Sequence, residues 1–369
     1  MTIQEAKNQQ EWDAFIGRQQ FRPFLQSWTM GEVYRDTDQE PIRLEVRDEG
    51  NIVAICQAIF VPAKRGRHLS IPYGPVLSSK QTAESSKQIM EKLLAELMHI
   101  AREHGCSFIR MSPFLPAVAP QGAKVGWPPT GSKPSPLHLL AEYLWYLPLH
   151  TIDPWQQRTE GSGQPRTEEE LLAGLRKTTR NLVRRAERDG VTIGASPDPN
   201  RDVEHFLALH EETRRRHGFT PYTDAFFRAQ VRRFAERGEC TLYLAHFQGE
   251  VAAASIHVHA FGETSYHHGA STHRLSRVPT SYLLQWTAIC DALKRGDGIY
   301  NFWGIAPVTL ETGSPTVTDH QHPFSGVTLF KTGFGGTLLP LVHCMDFPLS
   351  ARYHGTRAFE LLRRWRRGF

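Results

Sequence analysis

Cysteine is scarce and unpaired in this chain of 369 residues. The five, Cys56, Cys106, Cys240, Cys290 and Cys344, are scattered with no C-x-x-C among them, and they sit in apolar or strand-like segments. That spacing argues against a zinc ribbon or a disulfide scaffold and fits free buried thiols in a reducing compartment, so a cytoplasmic address is expected. No stretch approaches the roughly 18 uncharged apolar residues that a membrane span requires. The start, Met1-Thr2-Ile3-Gln4-Glu5-Ala6-Lys7, is polar and does not read as a signal peptide. A strong charge of one sign is missing too: the formal net charge of +5 fits a phosphate-bearing partner, but many enzymes carry as much.

What the chain does have is length, an ordinary 40% of apolar residues, and an internal echo. The length exceeds one ordinary core and predicts two domains. Leu44–Ile59 and Leu242–His257 each read as a strand, a tight turn with glycine, and a second strand of small and β-branched residues. Ile71-Pro72-Tyr73-Gly74-Pro75 answers Tyr266-His267-His268-Gly269-Ala270. Amphipathic helices follow at Ile89–Glu103 and Ser281–Arg295, marked by Met90, Leu93, Leu94 and Leu97 and by Leu283, Leu284, Trp286, Ile289 and Leu293. Each leads through a glycine into a short apolar strand, Cys106–Met111 or Ile299–Trp303.

Hairpin, glycine, helix, strand resembles the core of the GNAT acyltransferase fold. The resemblance implies a mixed α/β chain of two GNAT-like domains in tandem, each a mostly antiparallel sheet flanked by helices. Domain 1 is expected over residues 1–150, with 345–369 packing back on it as a helical tail, and domain 2 over 151–344. A Pro/Gly-rich loop runs from Pro113 to Pro136, and Thr159–Pro165 reads as a linker. Coenzyme A-using relatives cradle pyrophosphate on bare N–H groups of a glycine-rich helix start. Here Arg274–Ser281 has no glycine and Pro279 lacks a donor, while the first half offers only Gly74. An acyl donor other than coenzyme A is therefore expected.

Over nearly its whole length the sequence also resembles the FemABX family of aminoacyl-tRNA-dependent peptidyltransferases. The pieces are Phe24-Leu25-Gln26-Ser27-Trp28, Leu175–Ala186, Thr213–Phe219, Tyr282-Leu283-Leu284-Gln285-Trp286 leading to Phe302-Trp303-Gly304-Ile305, and Phe330-Lys331-Thr332-Gly333-Phe334-Gly335-Gly336. The resemblance implies an amino acid esterified to tRNA, attacked by an amine on the stem peptide of a nucleotide- or lipid-linked peptidoglycan precursor. It implies no metal or organic cofactor and no stable protein partner. The rival enzymatic reading is a GNAT-fold N-acyltransferase with an acyl-CoA or acyl-carrier donor in polysaccharide or cell-envelope modification. A non-catalytic binding protein is the third reading.

Ester aminolysis needs cationic or N–H donors at the developing oxyanion. Lys331, in the expected loop 330–336 closing a cleft between the two halves, is the catalytic candidate; its plain alternative is a surface lysine at a turn. Phe330 and the glycines Gly333, Gly335 and Gly336 would shape that loop by close approach or positive φ. The resemblance assigns acceptor phosphate to Arg216, with Arg215 close behind, and guanidinium forks suit that task. It places Tyr34 where relatives carry a lysine, with Arg35 next to it, and Ser112 where many carry an aspartate. Tyr266 is either an acceptor contact or a buried aromatic. A helix expected from about Glu168 to Asp189, capped by Thr167 and Glu170, repeats Arg176, Arg180, Arg184 and Arg188 every four residues. That stripe is a candidate tRNA track or a solvated face. His257, His259, His267, His268 and His273 form no compact metal set with Cys or carboxylates. The run Arg363-Arg364-Trp365-Arg366-Arg367 suits peripheral contact with the inner membrane surface or a solvated helix end.

Overall fold

A computed structural model of the chain describes residues 1–62, 66–117, 127–155, 163–217, 222–311, 314–317 and 322–367, with side chains omitted at 216–217, 309–311, 314–317 and 367. Two compact units emerge: residues 1–142 with 340–369, and residues 143–339.

The first unit carries β1 (Thr2–Glu5), β2 (Pro41–Asp48), β3 (Asn51–Val61), β4 (His68–Tyr73), β5 (Val76–Leu77), β6 (Phe108–Pro113), β7 (Lys133–Pro134) and, from the end of the chain, β17 (Met345–Pro348). Its helices are α1 (Gln9–Gly17), α2 (Trp28–Arg35), α3 (Ala83–Glu103) and α10 (Arg352–Arg367). The second unit carries β8 (Tyr143–Pro148), β9 (Thr192–Ala195), β10 (Cys240–Phe247), β11 (Glu250–Ala260), β12 (Glu263–Ser271), β13 (Ile299–Gly304), the small pair β14 (Val308–Glu311) and β15 (Ser314–Val317), and β16 (Thr337–Pro340). Its helices are α4 (Glu168–Gly174), α5 (Lys177–Arg188), α6 (Pro199–His217), α7 (Asp224–Ala235), α8 (Thr280–Arg295) and α9 (Ser325–Thr332).

Apart from β5, which pairs with β3 off the main path, the two main sheets of the described residues correspond strand for strand. The first runs β1-β2-β3-β4-β6-β17-β7 and the second β9-β10-β11-β12-β13-β8-β16. In each, four consecutive antiparallel strands end in a parallel partner reached through a helix, α3 or α8, and an antiparallel strand follows. The hairpins carry a bulge at the same place, Val53 in one and Ala252 in the other. This is the tandem mixed α/β arrangement that the sequence predicts. The sixth strand of the first sheet, β17, comes from beyond the second unit in sequence, whereas that of the second sheet, β8, opens its own unit. Strand β8, read from sequence as the end of the first domain, pairs with β13 in the second, and β17 pairs with β6 in the first.

The cores follow from the periodicities. In α3, Ile89, Leu93, Leu97 and Ala101 recur every four residues and are buried, and Thr82 accepts the Ser85 N–H as N-cap. They pack on Val46, Ala54, Cys56, Leu69 and Ile109 of the sheet. In the second unit Leu284, Ala288 and Ile289 of α8 join Tyr243, Ala253 and Phe302. A single buried cation stitches the first unit's sheet to its tail: Arg110 binds Asp346 at 2.7 and 2.9 Å and Glu360 at 2.7 and 3.0 Å. No helix among the described residues is long and apolar enough to cross a membrane.

Candidate active site

The parallel pair at the centre of the second sheet comes apart after three residues. Glu263, Thr264 and Ser265 pair with Ile299, Tyr300 and Asn301, and β12 then runs on to Ser271 away from β13. Two irregularities coincide with the parting. On β12, His257 opposes Tyr266 while Ile256 opposes His268, so His267 is the extra residue of a bulge. On β13, Asn301 opposes Tyr146 and Gly304 opposes Leu144, three steps against two. There Trp303 adopts a φ of +67°, braced by its N–H on Asn301 Oδ1 at 2.8 Å. Bulges bend strands and re-aim side chains, so a bulge on each strand opens a V between them.

Lys331 reaches that V from α9. It is 7% exposed, its Nζ donates to Gly304 O at 2.7 Å, and it lies 5.5 Å from the centroid of the Tyr266 ring. Among the described residues that carbonyl is its one hydrogen-bond partner, although an ammonium has three N–H donors. Burial pushes its pKa down to about 7. Next to it, burial and then the charge of Lys331 push His267 down to about 3, so this imidazole is neutral. The Gln230 amide holds His267 Nδ1 at 2.9 Å, and Trp303 stacks edge-on against the ring at 4.8 Å. Burial likewise raises Tyr266 to about 12 and keeps it a phenol.

The 330–336 motif is not a loop throughout. Phe330, Lys331 and Thr332 form the last turn of α9, which Thr328 anchors by accepting the Ala306 N–H at 2.9 Å. Gly333 continues with a helical φ of −65°, so the positive φ expected there occurs only at Gly335 (+79°) and Gly336 (+98°). Gly333 is required by crowding instead: a Cβ would lie 2.2 Å from Thr179 Oγ1. At Gly336 a Cβ would lie 2.3 Å from the Tyr146 carbonyl oxygen. Trp145 Nε1 donates to Gly335 O at 2.6 Å, and Phe330 packs among Tyr282 and Phe334. The motif is thus a rigid bracket that holds the lysine.

The helix expected over 168–189 is two helices. The Thr167–Glu170 capping box starts α4, but Leu175 turns extended and buries its side chain. The Arg176 N–H then bonds Gly333 O at 2.9 Å. The tertiary bond to the 330–336 bracket overrides a sequence pattern that reads as continuous. Of the arginine stripe, Arg176 holds Leu329 O and Thr332 Oγ1, and Arg180 holds Ala173 O. Arg184 and Arg188 are exposed and make no ion pair among the described residues.

Elsewhere, Arg214 and Arg215 share Glu211 at 2.5 to 2.8 Å. Arg216 is on α6, with its side chain outside the described residues, as are Gly218 and Phe219. Tyr34 is buried in the first unit. Arg35 pairs with Glu32 and Glu40 beside Trp28 and Arg43 in a cavity of about 600 Å³. Of the histidines singled out from the sequence, His257 and His259 are structural: His257 bonds Tyr300, and His259 bonds Thr241 and Thr264. Sequence reading missed Trp303 and the carbonyl of Gly304 as site elements. Their signal was the aromatic-Gly step ending β13, read only as part of a motif.

Residues 8–125 match the FemAB family model, and residues 173–307 match a model described as the acetyltransferase (GNAT) domain. Of solved structures, FemX is similar over 98% of this chain and 100% of its own at 17% identity, with a TM-score of 0.75. L-PGS from Bacillus licheniformis is similar over 98% and 99% at 13% identity (TM-score 0.54). A tandem GNAT protein from the clavulanic acid biosynthesis pathway is similar over 85% and 84% at 13% identity (TM-score 0.50). No curated protein sequence matches significantly. Two GNAT-like sheets in tandem, with a FemAB-family match over residues 8–125 of the first unit and an acetyltransferase match over 173–307 of the second, give this chain the fold and the matched regions of an acyltransferase of the GNAT and FemAB type.

Proposed function

We propose that the protein moves an amino acid from aminoacyl-tRNA to an amine on the stem peptide of a peptidoglycan precursor. The observation that carries this reading is Lys331, a buried ammonium with one hydrogen-bond partner among the described residues, at the mouth of a V between two bulged strands. Buried polar groups are normally satisfied, so donors left open there suit a ligand oxygen. The acceptor nitrogen attacks the ester carbonyl carbon, and the new C–N bond places negative charge on the carbonyl oxygen. Lys331 donates to that oxyanion. Collapse breaks the bond to the tRNA ribose oxygen, which leaves with a proton, while the amine's proton passes to substrate or water.

Arg184 and Arg188 are suited to donor phosphates, and Arg215 and Arg216 to the acceptor's diphosphate. Tyr266, held as a phenol, is suited to contact acceptor or ester, and Phe330, Gly333 and Gly335 support the lysine. Within the first unit, Arg35 at its cavity is suited to an anionic group, and Tyr34 is buried in the same helix. Arg363, Arg364 and the 78%-exposed Trp365 on α10 suit a cytoplasmic protein that touches the inner membrane surface. An acyl-CoA donor is less well served: the approach to α8, Arg274–Ser281, has no glycine, Pro279 has no N–H to offer, and Arg274 is paired with Glu250.

The test is direct. Purified protein with charged tRNAs and precursor is expected to yield an extended peptide and deacylated tRNA. Product formed only from acyl-CoA would overturn the reading.

A further inference from the structure

In the first unit, where the chain leaves at Glu142 and re-enters at Pro340, two histidines converge on one buried carboxylate. Glu142 is 7% exposed. Its Oε1 lies 3.0 Å from His138 Nδ1 and its Oε2 lies 2.9 Å from His343 Nδ1. The two imidazoles stand nearly perpendicular with centroids 5.2 Å apart, and the ligand-type atoms all fall within 4.8 Å of one another.

The other nitrogen of His343 decides what this cluster is built for. Nε2 faces the carbonyl oxygen of Ser135 at 3.0 Å. A carbonyl only accepts, so Nε2 carries the hydrogen and Nδ1 presents its lone pair to a carboxylate oxygen, also an acceptor. A positive centre must lie between them. His138 turns Nδ1 to the second oxygen of the same carboxylate. Protons on the two Nδ1 atoms also satisfy the carboxylate, with His343 an imidazolium and His138 a neutral donor; one divalent cation meets all three residues at once and leaves both imidazoles neutral. The arrangement also has the support that metal-bound histidines ordinarily have, the far N–H anchored on a backbone carbonyl. The carboxylate is anchored too, since Oε1 accepts the Cys344 N–H at 2.9 Å.

We propose that His138, Glu142 and His343 bind one divalent transition-metal ion of the zinc type, with water completing the coordination. Two histidines and a carboxylate are an established zinc ligand set, and N and O donors favour zinc over magnesium. The ion would cross-link the segment Ser135–Glu142 to the segment Leu341–Met345, clamping the two passages by which the chain crosses out of and back into this unit. It belongs to the first unit and enters no step of the proposed acyl transfer.

The experiment uses the full chain, stripped with chelator and dialysed, then titrated with zinc chloride by calorimetry and with cobalt(II) chloride by visible absorption. One equivalent of zinc is expected to bind, the cobalt form to show d–d bands, and zinc but not magnesium to raise the melting temperature. His138→Ala, at a half-exposed ring whose loss leaves folding intact, is expected to weaken zinc binding by at least about ten-fold. Glu142→Gln should do the same, while His354→Ala on α10 should leave it unchanged. Absence of stoichiometric zinc binding, or zinc affinity in His138→Ala within about two-fold of the parent, overturns the proposal. So does a melting temperature that responds to pH through the histidines but not to zinc, because the cluster is then an imidazolium–carboxylate pair.

Discussion

The two units share a strand order, a hairpin bulge and a crossover helix, yet their central parallel pairs differ. In the first unit β4 and β6 stay zipped for six residues, from His68 opposite Phe108 to Tyr73 opposite Pro113. In the second, β12 and β13 part after three. Where the first unit's β3–β4 ladder ends, at Ile59 opposite Ser70, the Gln26 side chain fills in as a surrogate strand. It donates to Gln57 O at 3.0 Å and Pro72 O at 2.8 Å and accepts from the Gln57 N–H at 2.8 Å. In the second unit the corresponding stretch carries the His267 bulge, and Lys331 lies at the opening. In one copy the parallel pair stays closed beside an amide-filled ladder, and in the other it parts beside a cation. Duplication supplied two frames, and the second carries the feature expected of a reaction site.

That contrast can be broken from either side. The largest stability effect is expected from Arg110→Met, which strands the fully buried Asp346 and should cost about 3–5 kcal/mol, as removal of one partner from a buried ion pair does. Denaturant unfolding followed from the first unit checks it. Gln26→Ala leaves two carbonyls and an N–H of the closed copy without partners and should cost roughly 2–3 kcal/mol, with little effect on the second unit. Lys331→Met should act in the opposite sense. Below pH 7 the lysine is charged in both folded and unfolded chains, and the folded state bears the full cost of burying it. Between about 7 and 10.5 the unfolded chain retains a proton that the folded one has released, so stability rises with pH. The variant is therefore expected to melt above the parent at pH 6, by a margin that closes toward pH 10. The smallest effect is expected from Arg184→Gln with Arg188→Gln: a several-fold weaker donor interaction and a shallower salt dependence, read by tRNA binding at two ionic strengths.

Much of this contrast was legible in the sequence. The matched hairpins, the apolar stripes of α3 and α8 and the 330–336 motif identify both units and the lysine. What stayed hidden depends on tertiary pairing. Nothing in Leu175-Arg176 signals a helix break, because its cause is the Gly333 carbonyl more than 150 residues away. Tyr143–Pro148 reads as the end of the first domain because strand patterns do not name their partners. The bulges at His267 and Trp303 are register events, invisible to a periodicity of two, and they make the V. The arginines at 176, 180, 214 and 215 look alike in sequence to 184 and 188, and only their contacts divide those with partners from those without one among the described residues.

The central claim, that the opened copy works through Lys331, is tested most directly by the single-turnover rate of aminoacyl transfer from charged tRNA to precursor in Lys331→Met, measured beside its melting temperature. The account predicts a rate lower by about 10²–10³-fold, the loss expected for one oxyanion donor, in a protein at least as stable as the parent. A rate within a few-fold of the parent, in a folded variant, would contradict it.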